Sequence, residues 1–167
     1  MKRRSFLATT ALGATVGLSG CLDGKPVLTL DKSEIVPPER GLIEKIEDVD
    51  GSGEIKYTIR SEHNRFEVFY FRDPAAFTTY QKVTLGGDEM PEKPPTGYQP
   101  LRAVAAKNSE QGAYEAKMPT DGGRHSLDFD GTHYLVVDHS NYGNIEVPDM
   151  TDELQVFVGL EVIKDRF

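Results

Sequence analysis

The stretch EIKYTIRSEHNRFEVFYFR, residues 54–72, alternates apolar and polar side chains with a period of two. Such a period places successive side chains on opposite faces of an extended chain. In its first half, Ile55, Tyr57 and Ile59 face one way while Glu54, Lys56 and Thr58 face the other. In its second half, Phe66, Val68 and Tyr70 alternate against Glu67, Phe69 and Phe71. That strand becomes apolar on both sides, as a central or covered strand does. Further strands read as LRAVAAKN, AYEAKMP, HSLDFD, THYLVVDHS and ELQVFVGLEVI. Turn residues separate them at Gly112, Asp121-Gly122-Gly123, Asp130-Gly131 and Asn141-Tyr142-Gly143. One short helix is expected in DPAAFTTYQKV, with Asp73 as N-cap, Pro74 in the first turn, and Phe77 and Tyr80 on one face. GGDEMPEKPPTGYQP reads as a loop, because its prolines block regular pairing. Seven or eight short strands with one helix predict an all-β fold. Its expected form is an Ig/jelly-roll-like antiparallel β-sandwich, since such sheets must cover one another's apolar faces.

Upstream, LDGKPVLTLDKSEIVPPERG carries two short apolar runs, VLTL and EIV, closed by Pro37-Pro38. Both read as short strands. Cys21 is the single cysteine of the 167 residues, so neither an internal disulfide nor a CxxC site exists. The 27 acidic residues outnumber the 19 basic ones, and Lys2, Arg3 and Arg4 all precede Cys21. The remainder carries 16 basic residues and eleven net negative charges. Such a balance repels phosphate backbones, which argues against nucleic acid as a partner, and suits a salty exterior where screening relieves self-repulsion.

The first residues, MKRRSFLATTALGATVGLSGC, join a basic start to an apolar run diluted by threonine and glycine. Arg3, Arg4, Phe6 and Leu7 resemble the motif of twin-arginine export signals, whose substrates are usually exported already folded. The run from Leu7 to Gly20 is short for a bilayer span, which takes about 20 apolar residues. Leu18, Ser19, Gly20 and Cys21 resemble a lipobox, in which the cysteine sulfur takes a lipid and the signal is cut before it. Two acyl chains anchor stably where one binds reversibly. The combination of these signals with an acidic remainder looks like exported lipoproteins of halophilic archaea. The expected organisation is a signal peptide over 1–20, the lipidated cysteine with a tether and first strands over 21–40, and the β-sandwich over 41–167. The implied location is the outer face of the cell membrane, held by lipid on Cys21.

FEVFYFRDPAAFTTYQK and the late DGTHYLVVDHSNYG resemble GOLD (Golgi dynamics)-type β-sandwich domains. These share a strand, a short helix holding a Phe and a Tyr, and a late strand close to this one. The likeness spans roughly residues 54–143 and implies a binding module. The coiled coil and C-terminal span of the eukaryotic cargo receptors are missing, so their trafficking role is not carried over.

Several constellations invite chemistry. DVDGSGEIKYTI, residues 48–59, begins like a calcium loop with Asp48, Asp50 and Ser52, but Ile59 stands where the bidentate Glu belongs and Lys56 enters the ninth position. A turn followed by a strand explains it better. LIEKIE before it has helix-like spacing, with Glu44 and Glu47 three apart on a solvated turn. His125, His133 and His139, with Asp128, Asp130 and Asp138 nearby, offer the donor types of a copper or zinc site. An envelope metal-binding protein is therefore the alternative reading; His63 stands apart. Asp138, His139 and Ser140 supply the residue types of a triad, yet neighbours on a strand point to opposite faces. No GxSxG, HExxH or phosphate-cradling loop occurs. The reading is thus a non-catalytic module that needs no cofactor and binds an envelope protein or small ligand. Its contact loops are expected over residues 86–100 and 140–144, with Tyr98 and Tyr142 as the contact residues.

Overall fold

The computed structural model describes residues 24–118, 123–143 and 152–165, and among these ten strands and one α-helix form an all-β domain with two sheets. The strands are β1 (Gly24–Val36), β2 (Arg40–Ile46), β3 (Gly51–Ser61), β4 (Glu67–Phe71), β5 (Ala103–Val104), β6 (Ala106–Lys107), β7 (Tyr114–Met118), β8 (His125–Phe129), β9 (His133–His139) and β10 (Leu154–Asp165). Helix α1 covers Pro74–Thr84, and Gln99–Leu101 makes one 3-10 turn. The six-stranded sheet has the order β1-β10-β3-β7-β6, with β8 also pairing β3. The four-stranded sheet has the order β2-β9-β4-β5. All pairings are antiparallel.

The period-two segments are strands, and β3 buries the face that its alternation predicts. Ile55, Tyr57 and Ile59 of β3 are buried, and so are Leu154, Val156, Val158, Leu160 and Val162 of β10. These side chains share one apolar cluster with Val68, Tyr70, Leu135 and Val137 of the four-stranded sheet. Each fully buried aliphatic side chain of this kind contributes roughly 1.5–3 kcal/mol. β4 is buried throughout because both of its faces are covered. Val68 and Tyr70 enter the shared core, while Phe69 and Phe71 meet Phe77 and Tyr80 of α1 in a second cluster.

Three segments differ from expectation. VLTL and EIV are parts of one 13-residue strand, β1, which pairs with β10 from Gly24 to Val36 with an irregularity between Pro26 and Leu28. LRAVAAKN splits into two short strands that enter different sheets, β5 against β4 and β6 against β7. The crossing point is buried Ala105, whose N–H donates to the Phe66 carbonyl at 3.0 Å. LIEKIE is strand β2, so Glu44 and Glu47 do not share a helical turn. Glu44 instead is buried and ion-paired at 2.7 Å with Lys32 of β1, an edge strand of the other sheet. This charge turned inward from an edge strand opposes further strand pairing there.

Helix α1 begins as its sequence demands: the Ala75 N–H donates to Asp73 Oδ1 at 2.9 Å, and Pro74 occupies the first turn. Asp73→Ala is expected to cost about 1 kcal/mol, measured by urea unfolding, because one helix-end donor loses its acceptor. The calcium-like stretch is a turn into β3. Asp48 adopts φ 61° and Gly51 φ 87°, while Ser52 Oγ donates to Asp128 Oδ1 of β8 at 2.9 Å.

Candidate functional site

On the outward face of the six-stranded sheet, β10 presents Gln155, Phe157, Gly159 and Glu161, the complement of its buried set. Register sets Phe157 beside Ser33 of β1 and Arg60 of β3, with Ile35 opposite Gln155. Phe157 is 40% exposed and Ile35 54% exposed, so two large apolar side chains stand near one another on this outward face, with exposed Val27 farther along β1. Around them lies a trough of about 1260 Å³, walled by Ser33–Ile35, by Arg60–His63 and by the turn Gln111–Ala113. A smaller depression of about 450 Å³ continues it over Gly159, where the missing side chain lowers the floor between Asp31, Thr58 and Glu161. Arg60 and Phe157 line both.

The charges of the trough are sorted by pairing. Arg60 Nε donates to Glu115 Oε2 at 2.5 Å, and Lys117 lies 3.3 Å from the other oxygen of that carboxylate. Arg60 holds the Glu115 carboxyl below its ordinary range. Glu34 pairs with Lys32 at 3.4 Å, and exposed Glu62 has only His63 beside it, at 3.7 Å. Arg60 is thus already bound to a carboxylate and Glu34 to Lys32, which leaves exposed Glu62 as the acidic group of the walls without a Lys or Arg partner among the described residues. Such a surface suits an extended ligand with apolar and basic groups.

The expected contact residues lie elsewhere. Tyr98 is half-buried against the shared core: its N–H donates to the Tyr70 carbonyl at 2.6 Å, and the Arg72 guanidinium sits 5.1 Å from its ring centre. Its hydroxyl lies 3.4 Å from His125 Nε2. Tyr142 is not a solvent-facing hairpin tip, which corrects the expectation for it. It is wholly buried, edge-on to Tyr80 and Phe69, and its hydroxyl donates to the Pro95 carbonyl at 3.0 Å. Its ring joins the apolar cluster that α1 forms with β4 and β9, and its hydroxyl finds the acceptor that a buried tyrosine needs.

The histidines do not converge. His133 and His139 share the core face of β9, but six residues of strand separate them by roughly 20 Å. Both ring nitrogens of His133 have partners: Nδ1 lies 2.9 Å from Tyr70 Oη and Nε2 lies 3.4 Å from the Asp130 backbone nitrogen. Burial, with Arg72 nearby, holds His133 below its usual range. His139 Nε2 donates to the Asp152 carbonyl at 3.0 Å. Among the described residues, no group of three or more His, Cys, Asp or Glu side chains is arranged to hold a metal ion. Asp138 and Ser140 do meet, with Ser140 Oγ donating to the carboxylate at 2.8 Å, while His139 points to the opposite face of β9. Arg3, Arg4, Phe6, Leu7, Leu18, Ser19, Gly20 and Cys21 lie outside the described residues, as does Asn144 of the expected contact loop.

Sequence reasoning missed Ile35, Arg60 and Phe157. The signal was present for Phe157, an aromatic ring on the polar phase of a strand whose other phase is wholly aliphatic. The pairing of Ile35 with that surface depends on the β1–β10 register, which no local pattern contains. No protein-family model matches this chain, and no curated protein aligns with it significantly.

Proposed function

We propose that this protein is a lipid-anchored, extracytoplasmic, non-catalytic binding module of GOLD-like β-sandwich form. It receives an extended polypeptide segment of an envelope protein in the trough of its six-stranded sheet. The observation that carries the reading is the exposed pair Ile35 and Phe157, brought to one part of the outward face by the β1–β10 register. The sandwich assignment is supported by the single core to which both sheets contribute, and by α1 packing its Phe and Tyr against the strand YLVVDH. The occupant is an apolar, basic strand because exposed Glu62 lines the trough and the chain beyond Cys21 is eleven charges negative. Anchoring rests on the twin-arginine and lipobox resemblances, and it favours a trough turned away from the membrane. Cys21 precedes β1 by three residues, and Ser33–Ile35 lie roughly 30–36 Å along that strand from Gly24.

Peptides varied in charge and apolar content, probed with the full chain in detergent, test the binding half. Basic, apolar sequences are expected to be retained in a salt-sensitive manner, and Phe157→Ser to weaken them about ten-fold or more. Retention unaffected by Phe157→Ser, or preferring acidic peptides, would refute the trough. Metabolic labelling with a lipid precursor tests the anchor: label on the native chain and none on Cys21→Ser is expected, and an unlabelled native chain contradicts it.

A further inference from the structure

Glu67 of β4 and Asp138 of β9 are direct register partners on the face covered by α1, and they are 3% and 1% exposed. Side chains so placed have Cβ atoms about 4.5–5.5 Å apart, close enough for like charges to oppose one another strongly when water is excluded. Among the described residues, one cation is ion-paired with the couple, and it is bound to Glu67. Arg102 Nε donates to Glu67 Oε1 at 2.5 Å, and a terminal guanidinium nitrogen reaches the same oxygen. Among the described residues, Glu67 Oε2 has no hydrogen-bond partner. Asp138 touches no Lys or Arg among the described residues. Tyr80 Oη lies 2.6 Å from its Oδ1, Ser140 Oγ 2.8 Å from the same atom, and the Ser140 N–H donates to Oδ2 at 3.3 Å. Both hydroxyls can donate or accept, so a neutral carboxyl is accommodated without stranding a buried group.

The remaining surroundings add little positive charge. β2 faces Asp138 with Gly41, and its exposed Arg40 pairs in register with His139. His139 turns to the other face of the sheet. Helix α1 contributes only the Tyr80 hydroxyl. The turn after β9 contributes Tyr142, and Arg65 acts on Glu67 from ahead of β4.

We infer that this pair gives up its two protons in sequence, Glu67 ionising first against Arg102 and Asp138 keeping its proton to higher pH, so that between those steps the domain holds a proton that its unfolded chain releases. Burial lifts both carboxyls above their ordinary range, opposed at Glu67 by Arg102 and at Asp138 by the bonds from Tyr80 and Ser140. The sign follows from linkage. An unfolded Asp loses its proton near pH 4, about where carboxylates titrate in water, while the folded one keeps it. The stabilisation is therefore complete below that pH and is lost as pH rises through the folded value. His133, held low by burial, acts in the opposite sense below about pH 6.5, so the Asp138 contribution is read as a difference between native chain and variant.

Thermal unfolding of the full chain between pH 4 and 8 tests this with two isosteric variants. Asp138→Asn mimics the neutral acid and is expected to melt at or above the native chain at pH 8, with the pH-dependent difference between them closing toward pH 4. Glu67→Gln strips Arg102 of its counter-charge and is expected to melt lower at pH 8. Carboxyl carbon NMR of the native chain, which needs no variant to fold, is expected to show Asp138 titrating above the ordinary range with Glu67 ionised at neutral pH. An ordinary Asp138 titration, a proton found on Glu67 instead, or an Asp138→Asn loss at pH 8 equal to that of Glu67→Gln would overturn the inference.

Discussion

Gly41→Ala is expected to destabilise the domain by about 3–5 kcal/mol, one of the two largest effects foreseen for a single substitution. A Cβ built on Gly41 would stand 2.0 Å from Tyr80 Oη, 3.1 Å from Tyr80 Cζ and 3.0 Å from Val136 Cγ1. Tyr80 has no room to retreat. It is wholly buried, its hydroxyl donates to Asp138 at 2.6 Å, and its ring meets Phe69, Phe71 and Tyr142. The methyl group must either lift α1 from the sheet or break the Tyr80–Asp138 bond. Overpacking costs roughly 1–3 kcal/mol and an orphaned buried acceptor about as much again. Tyr80→Phe removes the hydroxyl that collides with the new methyl. Denaturant unfolding of the single and double variants should therefore show strong non-additivity, with Tyr80→Phe costing far less in the Gly41→Ala background than alone. Additive losses would mean that the collision is relieved elsewhere.

Phe69→Ala should cost a comparable amount, about 3–5 kcal/mol, or roughly 10 °C in melting temperature for a chain of this size. Phe69 is wholly buried and central to the smaller cluster: its ring centre lies 5.9 Å from Phe71, 6.1 Å from Tyr80 and 5.7 Å from Tyr142. The Arg102 guanidinium rests 5.6 Å from the same ring while it binds Glu67. Truncation would thus open a cavity beneath α1 and loosen the arginine over the buried carboxylate. Hydrogen exchange should locate the damage: amides of α1 are expected to lose protection well before those of β3 and β10, whose side chains belong to the shared core. Ile59→Ala provides the contrast, since it should lower protection across both sheets together. Uniform loss from Phe69→Ala would show that the two clusters unfold as one.

Much of the strand order could be read from short windows because alternation is a property of adjacent residues. Residues 54–59 announced which face of β3 is buried, and Phe77 with Tyr80 announced the buried side of α1. Asp73 and Pro74 marked the helix start through local chemistry alone. The candidate site was far less legible. Phe157 and Ile35 are 122 positions apart and become neighbours only through the β1–β10 register. Tyr142 follows three polar residues and precedes a glycine, a context that reads as a turn tip. Its burial is decided by α1, more than fifty residues earlier in the chain. Glu67 shares its strand phase with Phe69 and Phe71, and nothing nearby in sequence indicates that Asp138 will stand opposite it.

The amino-acid order alone determined the all-β character, the helix and its cap, the uniqueness of Cys21 and the excess of negative charge, since each depends on identity or on spacing of a few residues. Tertiary structure alone decided which polar side chains are buried, which apolar ones remain in water, and which carboxyls meet. Those outcomes depend on distant segments closing over one another, and exclusion of water is a property of the assembled surfaces rather than of any residue within them.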